Sequence, residues 1–294
     1  MKQHIFKPEH AMFRKSFKGY LKDKIIPFYD AWEEAGTTPR EVWLEAGKNG
    51  WLCTMADERY GGPGGDFLYS VVITEELYYH ALNGLFWGVH SDIFLPYLET
   101  YATEQQKQKW IPKCITGETI LALAMTEPEV GSDIARLTTT ARRVGGNFIV
   151  NGTTTFISNG QLADLFIVAV RTSDTDRPHN GISRLLVEAD RKGCNRGANL
   201  TKIGLHAQDT SEIFFDECRV PIENLLGVEG CGFKYLMENL QQERLLLAIG
   251  AYAAVRGAFD ITLKYVKKRR AFGQTIGEFQ NTHFGMAEMA TKVQ

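Results

Sequence analysis

The sequence predicts an α+β multidomain chain. A helical N-terminal domain (1–122) precedes a middle antiparallel β-barrel domain (123–228) and a C-terminal helical domain (229–294) whose bundle is incomplete. Three observations carry that prediction. Apolar residues recur at helical spacing through the first third of the chain. From residue 123 to 228 the pattern changes to short β-rich runs separated by glycine and asparagine turns. After Pro221 no proline occurs and the pattern is helical again. Helices, then strands, then helices is not the alternation of a doubly wound sheet.

The elements follow in order. Phe13, Phe17, Leu21 and Ile25 recur every four residues, so a helix starts near Pro8, a residue suited to the first turn. Thr38 and Pro39 read as the cap and first position of a second helix. The run Gly61 to Asp66 breaks the pattern, a helix through Glu75 and Glu76 follows, and Thr103 to Gln106 opens another. In the middle region, Asn147 to Val150, Leu165 to Val170, Leu185 to Val187 and Ile213 to Phe215 read as strands. Six or more such strands without intervening helices suggest a small antiparallel barrel or sandwich. A long helix is expected from about 231 to 268 and another from about 275. Met286 to Gln294 stops inside an amphipathic pattern with no cap, which leads us to expect a fragment of a longer chain.

Composition narrows the function classes. The 294 residues carry 33 Lys+Arg against 35 Asp+Glu, a net charge of −2, which makes no electrostatic case for nucleic acid or an acidic membrane surface. With 44% hydrophobic, 23% charged and 11% aromatic residues the chain is not disordered. Leu245 to Val255, the longest near-apolar stretch, is too short to span a bilayer. The basic start is interrupted by Glu9 and Asp23 and reads as a domain helix rather than a targeting segment. Five cysteines without a C-x-x-C pair fit reduced thiols in a cytosol-like compartment. The seven histidines show no metal-ligand spacing, so no metal site is expected.

Three segments could carry chemistry. Glu243 lies in an apolar stripe, with Leu236, Leu240, Leu247 and Ala254 at 7, 3, 4 and 11 residues from it. A carboxylate there is costly unless paired or used, and burial makes it a stronger base. The alternative is a structural Glu paired with an arginine, although adjacent Arg244 does not share its helix face. Ala124 to Asp133 is a polar turn where helices meet strands, able to cradle a phosphate or to be an ordinary turn. Arg269 to Gly273, followed by Phe279 and Gln280, either complements the negative end of the long helix, with Gly273 as its stop, or holds a pyrophosphate. The glycine loops at 61–66 and 227–232 lack phosphate-loop and Rossmann order. Ser132 and Ser158 have no hydrolase partners at recognisable spacing.

Together these segments resemble the acyl-CoA dehydrogenase family. Ala124 to Pro128 with Gly131 to Asp133 resembles its flavin-site signature. Phe156 to Gly160 resembles its second flavin-contact strand, and Lys202 to Asp216 the end of its β-domain. Arg269, Phe272 and Gly273, with Phe279 and Gln280, resemble its dimer-spanning flavin motif. The match runs through essentially the whole chain in order. Gln241 to Leu246 resembles the long-chain version, in which the base lies on this earlier helix.

The resemblance implies FAD-dependent α,β-dehydrogenation of acyl-CoA thioesters, long-chain in preference, in fatty acid β-oxidation. Glu243 would be the catalytic base. Leu123, Ala124, Met125, Thr126, Gly131, Ser132, Phe156, Ile157 and Ser158 would contact FAD, and Arg269, Phe272 and Gln280 would reach the FAD of a neighbouring subunit. Ser132, Asn180, Gln241 and Arg244 would contact the acyl-CoA. Electron-transfer flavoprotein would accept the electrons. The resemblance also implies a homo-oligomer, a dimer of dimers. The expected location is the cytoplasm, or the mitochondrial matrix in a eukaryote. An isovaleryl or branched-chain enzyme, or a non-catalytic acyl-CoA-binding relative, are the alternatives. Glu129 and Val130 stand where the family usually has Gly-Ala, and Arg136 where a small residue is usual; Glu129 would repel a pyrophosphate if it faced one.

Overall fold

The computed structural model describes residues 5–294. Its first helix, α1 (Pro8–Tyr20), begins at the expected proline and runs through a π-helical turn at Leu21–Ile25 into α2 (Ile26–Ala35). A second π-helical stretch, Val89–Phe94, leads into α5 (Leu95–Tyr101). Each lies just before a proline, Pro27 and Pro96. A proline lacks the N–H for an ordinary helical bond, and its ring crowds the carbonyl four residues back, so widening the turn relieves both faults.

Between them lie α3 (Arg40–Lys48) and α4 (Phe67–Tyr79), and α6 (Glu104–Ile115) follows. Thr103 and Gln106 close the capping box that starts α6. The start of α3 differs from expectation: Pro39 takes the cap position and Thr38 accepts a hydrogen bond from Trp43 Nε1 at 3.1 Å. The indole competes for the hydroxyl that would otherwise cap the helix. Asp66 caps α4, the last residue of the glycine-rich break. Ser70 through Leu77 of α4 are all buried, including Glu75 and Glu76, which Arg14 of α1 pairs at 2.5 and 2.7 Å.

The middle domain is a curled seven-stranded sheet. Its strands are β1 (Leu121–Ala124), β2 (Thr140–Val144), β3 (Asn147–Ser158), β4 (Leu165–Arg171), β5 (Ile182–Glu188), β6 (Cys194–Asn199) and β7 (Thr210–Pro221). Most ladders are antiparallel, as expected, but β1 runs parallel to β4, with Leu121 beside Leu165. Neither β5 nor β6 pairs with the other among the described residues, so the curl stays open. Phe148, Phe166, Val168, Leu185 and Val187 fill its core. A separate, larger core of aromatic and aliphatic residues lies in the helical domain, with Trp43, Trp87 and Tyr97 fully buried.

The long helix α7 (Gly232–Lys268) crosses α4 and reaches back to β5. It is long and apolar enough to cross a membrane by length and composition, with a mean hydropathy of 1.4 over an 18-residue window of which 22% is buried. The stretch Leu245 to Val255, taken alone, understates it. Its polar residues contact the N-terminal domain, as where Tyr79 OH donates to Asp260 at 2.6 Å. The next helix, α8 (Gln280–Val293), starts five residues later than expected. The intervening residues form a hairpin of β8 (Arg270–Ala271) and β9 (Gln274–Thr275), and a short 3-10 turn. Phe272 and Gly273 sit at its tip with φ of 51° and 85°. Two consecutive left-handed residues make the tight turn that suits a two-residue hairpin, so Gly273 turns a hairpin rather than stopping α7.

Candidate active site

Glu243 lies on α7 where the three regions of the chain meet. Of its apolar stripe Leu236 is buried, Leu240 and Ala254 are half-buried and Leu247 is exposed, and the Glu243 carboxyl is half-buried. Tyr97 OH, from α5, donates to its Oε1 at 3.0 Å. Arg184, from β5, is 1% exposed, and its guanidinium carbon lies 5.6 Å from the centre of the Tyr97 ring. Burial pushes the Glu243 carboxyl above its ordinary value, while the Tyr97 hydrogen bond and the Arg184 charge work in the opposite direction. The outcome is a carboxylate more basic than one in water, at hydrogen-bond distance from a neutral phenol. Burial also raises the Tyr97 hydroxyl, so it remains a donor.

The surroundings of Glu243 are apolar on one side. Leu246 and Leu247, three and four residues further along α7, lie on the same helix face. With Leu77, Tyr78, Trp87 and Ile93 they line a cavity of about 20 Å³. Gln242 Nε2 donates to the Asp92 carbonyl at 3.2 Å and ties α7 to the second π-helical stretch. The Asp92 carboxyl is fully buried beside Ser70, whose hydroxyl donates to it at 2.6 Å, and burial raises it to about 7.

A second cluster forms on the edge of the sheet. Thr155 N–H donates to Thr126 O at 2.7 Å, which sets the segment after β1 beside the end of β3. The β3–β7 register slips between Thr154 and Ile157, and Phe156 occupies that bulge at a φ of 57°. A bulge re-aims one side chain. Ile157 stays buried at 2% while the Phe156 ring is 68% exposed. An aromatic held outward in a strained conformation, between the half-buried hydroxyls of Thr126 and Ser158, suits the edge of a planar heterocycle. The adjoining loop hangs on Glu127, which is buried and accepts from Thr138 N–H, Thr138 OH and Thr139 N–H at 2.8, 2.7 and 2.6 Å. Glu129 is exposed, on the solvent side of that loop, and Gly131 and Ser132 are exposed further along it. Both Ala124 and Ile157 bury their side chains in the β core, so they could reach a cofactor only through backbone.

The remaining expected residues lie in two places. Gln241 and Arg244 are exposed on α7 beside Glu243, and Asn180 is exposed on a turn whose carbonyl approaches Gly230, just before α7. Arg269, Phe272 and Gln280 are exposed at and beyond the far end of α7, roughly 40 Å along the helix from Glu243. They cannot serve the same site in one chain. Tyr97 and Arg184 were not expected from the sequence. The signal for Arg184 was there, since it interrupts the otherwise apolar strand Ile182 to Val187. Among the described residues no group of three or more His, Cys, Asp or Glu side chains could hold a metal ion.

Comparison with known proteins adds identity to this geometry. Family profiles described as the acyl-CoA dehydrogenase N-terminal, middle and C-terminal domains match residues 7–118, 122–218 and 230–294. The mouse mitochondrial long-chain specific acyl-CoA dehydrogenase is 44% identical over 98% of this chain and 67% of its own length. The mitochondrial isovaleryl-CoA dehydrogenase of Solanum tuberosum is 34% identical over 99% of this chain and 71% of its own. Among solved structures, an acyl-CoA dehydrogenase from Geobacillus kaustophilus superposes with a TM-score of 0.97 at 52% identity, covering 99% of this chain and 77% of that one. A Mycobacterium smegmatis glutaryl-CoA dehydrogenase in complex with FADH2 gives 0.90 at 27% identity, covering 99% and 74%. The chain belongs to the acyl-CoA dehydrogenase family of FAD-dependent oxidoreductases.

Proposed function

We propose that this chain dehydrogenates an acyl-CoA thioester between its α and β carbons, with Glu243 removing the α-proton. The observation that carries this is the placement of Glu243: a half-buried carboxylate of raised basicity, held by Tyr97 OH at 3.0 Å, one helical turn from Leu246 and Leu247, which line a small cavity. The α-proton beside a thioester is a weak acid, so a base stronger than an exposed glutamate lowers the barrier to its removal. Leu246 and Leu247 would orient the acyl chain so that its α-carbon faces the Glu243 carboxyl. The charge that develops on the thioester oxygen needs hydrogen-bond donors in a water-poor site.

FAD, when bound, would supply the hydride acceptor. Met125, Thr126 and Ser158 would hold it through backbone and hydroxyl groups, and Phe156 would lie against its ring. Gly131 and Ser132 would meet its polar portion. Solvent-facing Glu129 leaves that contact undisturbed. Exposed Asn180, Gln241, Arg244 and Ser132 would guide the CoA moiety. Arg269, Phe272 and Gln280 would contact the cofactor of a second copy, a reading supported by their distance from Glu243 and by the 98% exposure of the Phe272 ring. Electron-transfer flavoprotein would be the electron acceptor.

The 44% identity to the mouse long-chain enzyme supports a long acyl chain. A shorter or branched acyl group is the second reading, favoured by the cavity of about 20 Å³, which has room for about one water. The test is anaerobic bleaching of the FAD-loaded protein by palmitoyl-CoA and by isovaleryl-CoA. The faster substrate decides the acyl class. Replacing Glu243 by glutamine should slow bleaching by either substrate about 100- to 10,000-fold. Bleaching at the parent rate in Glu243→Gln would refute the role of this carboxylate.

A further inference from the structure

We propose that Arg184 is a positioning residue for Glu243: its guanidinium, resting on the face of Tyr97, keeps the Glu243 carboxyl ionised and its hydrogen bond to Tyr97 aligned. This rests on the reading of Glu243 as the base, but the interaction itself can be measured without that reading.

Arg184 sits in the strand Ile182 to Val187, where every residue is buried, and it is 1% exposed. A guanidinium cannot shed its proton at any ordinary pH, so burial leaves a full charge to be compensated. Its hydrogen bonds do little of that. Nε donates to Gly232 O at 3.3 Å, Nη2 lies 3.1 Å from the Met125 thioether, a weak acceptor, and Nη1 is buried without a partner. No carboxylate touches it. What compensates it is the Tyr97 ring face and, through that residue, the charge of Glu243. Since Tyr97 keeps its proton, the favourable charge acting on Arg184 is that of Glu243.

The arrangement works in the other direction on Glu243. The groups that bear on it from each packed element are few. From α5 there is Tyr97, and from β5 there is Arg184. On α7 itself the adjacent Arg244 points to solvent. From the second π-helical stretch Asp92 offers only its carbonyl, to Gln242, while its carboxyl is turned to Ser70. Glu238, the next acid along α7, is taken by Tyr101 at 2.8 Å. Burial alone would raise the Glu243 carboxyl further, and a protonated carboxyl removes no proton. Arg184 is the one cation among these groups that opposes burial.

The test uses the FAD-loaded protein with Arg184→Met, Arg184→Lys and Tyr97→Phe. Removing one member of a buried charged group commonly destabilises a fold, so the melting temperature of each variant is measured first and only folded protein is titrated. The Glu243 carboxyl is titrated by its infrared carbonyl band, taken as the difference from Glu243→Gln, and the acid limb of kcat/KM against pH is measured in parallel. Arg184→Met should raise both midpoints by about one pH unit, a tenfold loss of carboxylate below the midpoint. Arg184→Lys should restore most of the shift. Tyr97→Phe should move the midpoint the same way. An unmoved infrared midpoint in folded Arg184→Met overturns the proposal, even if Glu243→Gln is inactive. A moved midpoint alongside an active Glu243→Gln keeps the pairing and removes the base.

Discussion

Adding one methyl group at Gly257 is a sharp test of how α7 lies on α4. A Cβ at that position would stand 2.1 Å from the Tyr79 carbonyl oxygen and 2.9 Å from its carbon. Both are backbone atoms, so no rotamer change relieves the clash, and the helices must part locally by roughly 1 Å to reach an ordinary contact. Overpacking of that kind costs about 1–3 kcal/mol. Alanine in place of glycine returns about 1 kcal/mol of helix propensity. Because the clash is with backbone, the upper part of that range, about 2–3 kcal/mol, applies, and the net expectation is a loss of about 1–2 kcal/mol, or a fall in melting temperature of about 2–8 °C. Two controls set the scale. At Gly285 in α8 an added Cβ meets nothing within 4 Å, so Gly285→Ala should raise the melting temperature. At Gly250 it meets the Tyr78 ring at 2.8 Å, a side chain that can swing, so Gly250→Ala should fall between the two. Thermal melting followed by far-UV circular dichroism reads all three. If Gly257→Ala melts at or above the parent, as Gly285→Ala should, the close helix contact described here is wrong.

Two further outcomes are expected. Glu127→Gln puts an amide where a carboxylate accepts from Thr138 and Thr139; it should cost about 1.5–3 kcal/mol and speed FAD loss on gel filtration, whereas unchanged retention would mean that the loop does not hold the cofactor. Asp92 is raised by burial to about 7, so the folded state keeps a proton that the unfolded chain releases above about pH 4, and stability falls as pH rises from about 4 to about 7. His90, lowered by burial to about 4, acts in the opposite sense over the same range, since it must be neutral in the fold. Asp92→Asn should therefore be more stable than the parent by an amount that grows from near zero at pH 4 to at most about 4 kcal/mol at pH 8, and a gap independent of pH in urea unfolding would contradict it.

Much of this architecture was legible because apolar periodicity survives in the sequence. Phe13 to Ile25 and the stripe around Glu243 report their helices directly, and the runs in β3, β4 and β7 report their strands. The strands without such runs were not legible. Strand β2 carries two adjacent arginines, and β6 is Cys-Asn-Arg-Gly-Ala-Asn, largely exposed. They form by pairing with longer neighbours, a long-range effect that local composition does not carry. The π-helical turns were equally hidden, although Pro27 and Pro96 mark where they fall. At the site, spacing placed Glu243 in an apolar stripe and left a structural role beside a catalytic one. Tyr97 and Arg184 could not be joined to it, because 146 residues separate Tyr97 from Glu243 and only the tertiary fold closes that gap.

The meeting of Tyr97, Arg184 and Glu243 has a consequence for how such a chain loses function. Each comes from a different family segment, matched at residues 7–118, 122–218 and 230–294. No single segment holds even two of them. On the proposed reading, the ionisation of Glu243 is thus a gauge of docking among three segments that share one apolar cluster, and partial separation of any one should raise its carboxyl before that segment melts. Heat or mild denaturant should move the Glu243 titration while the secondary structure of all three still stands.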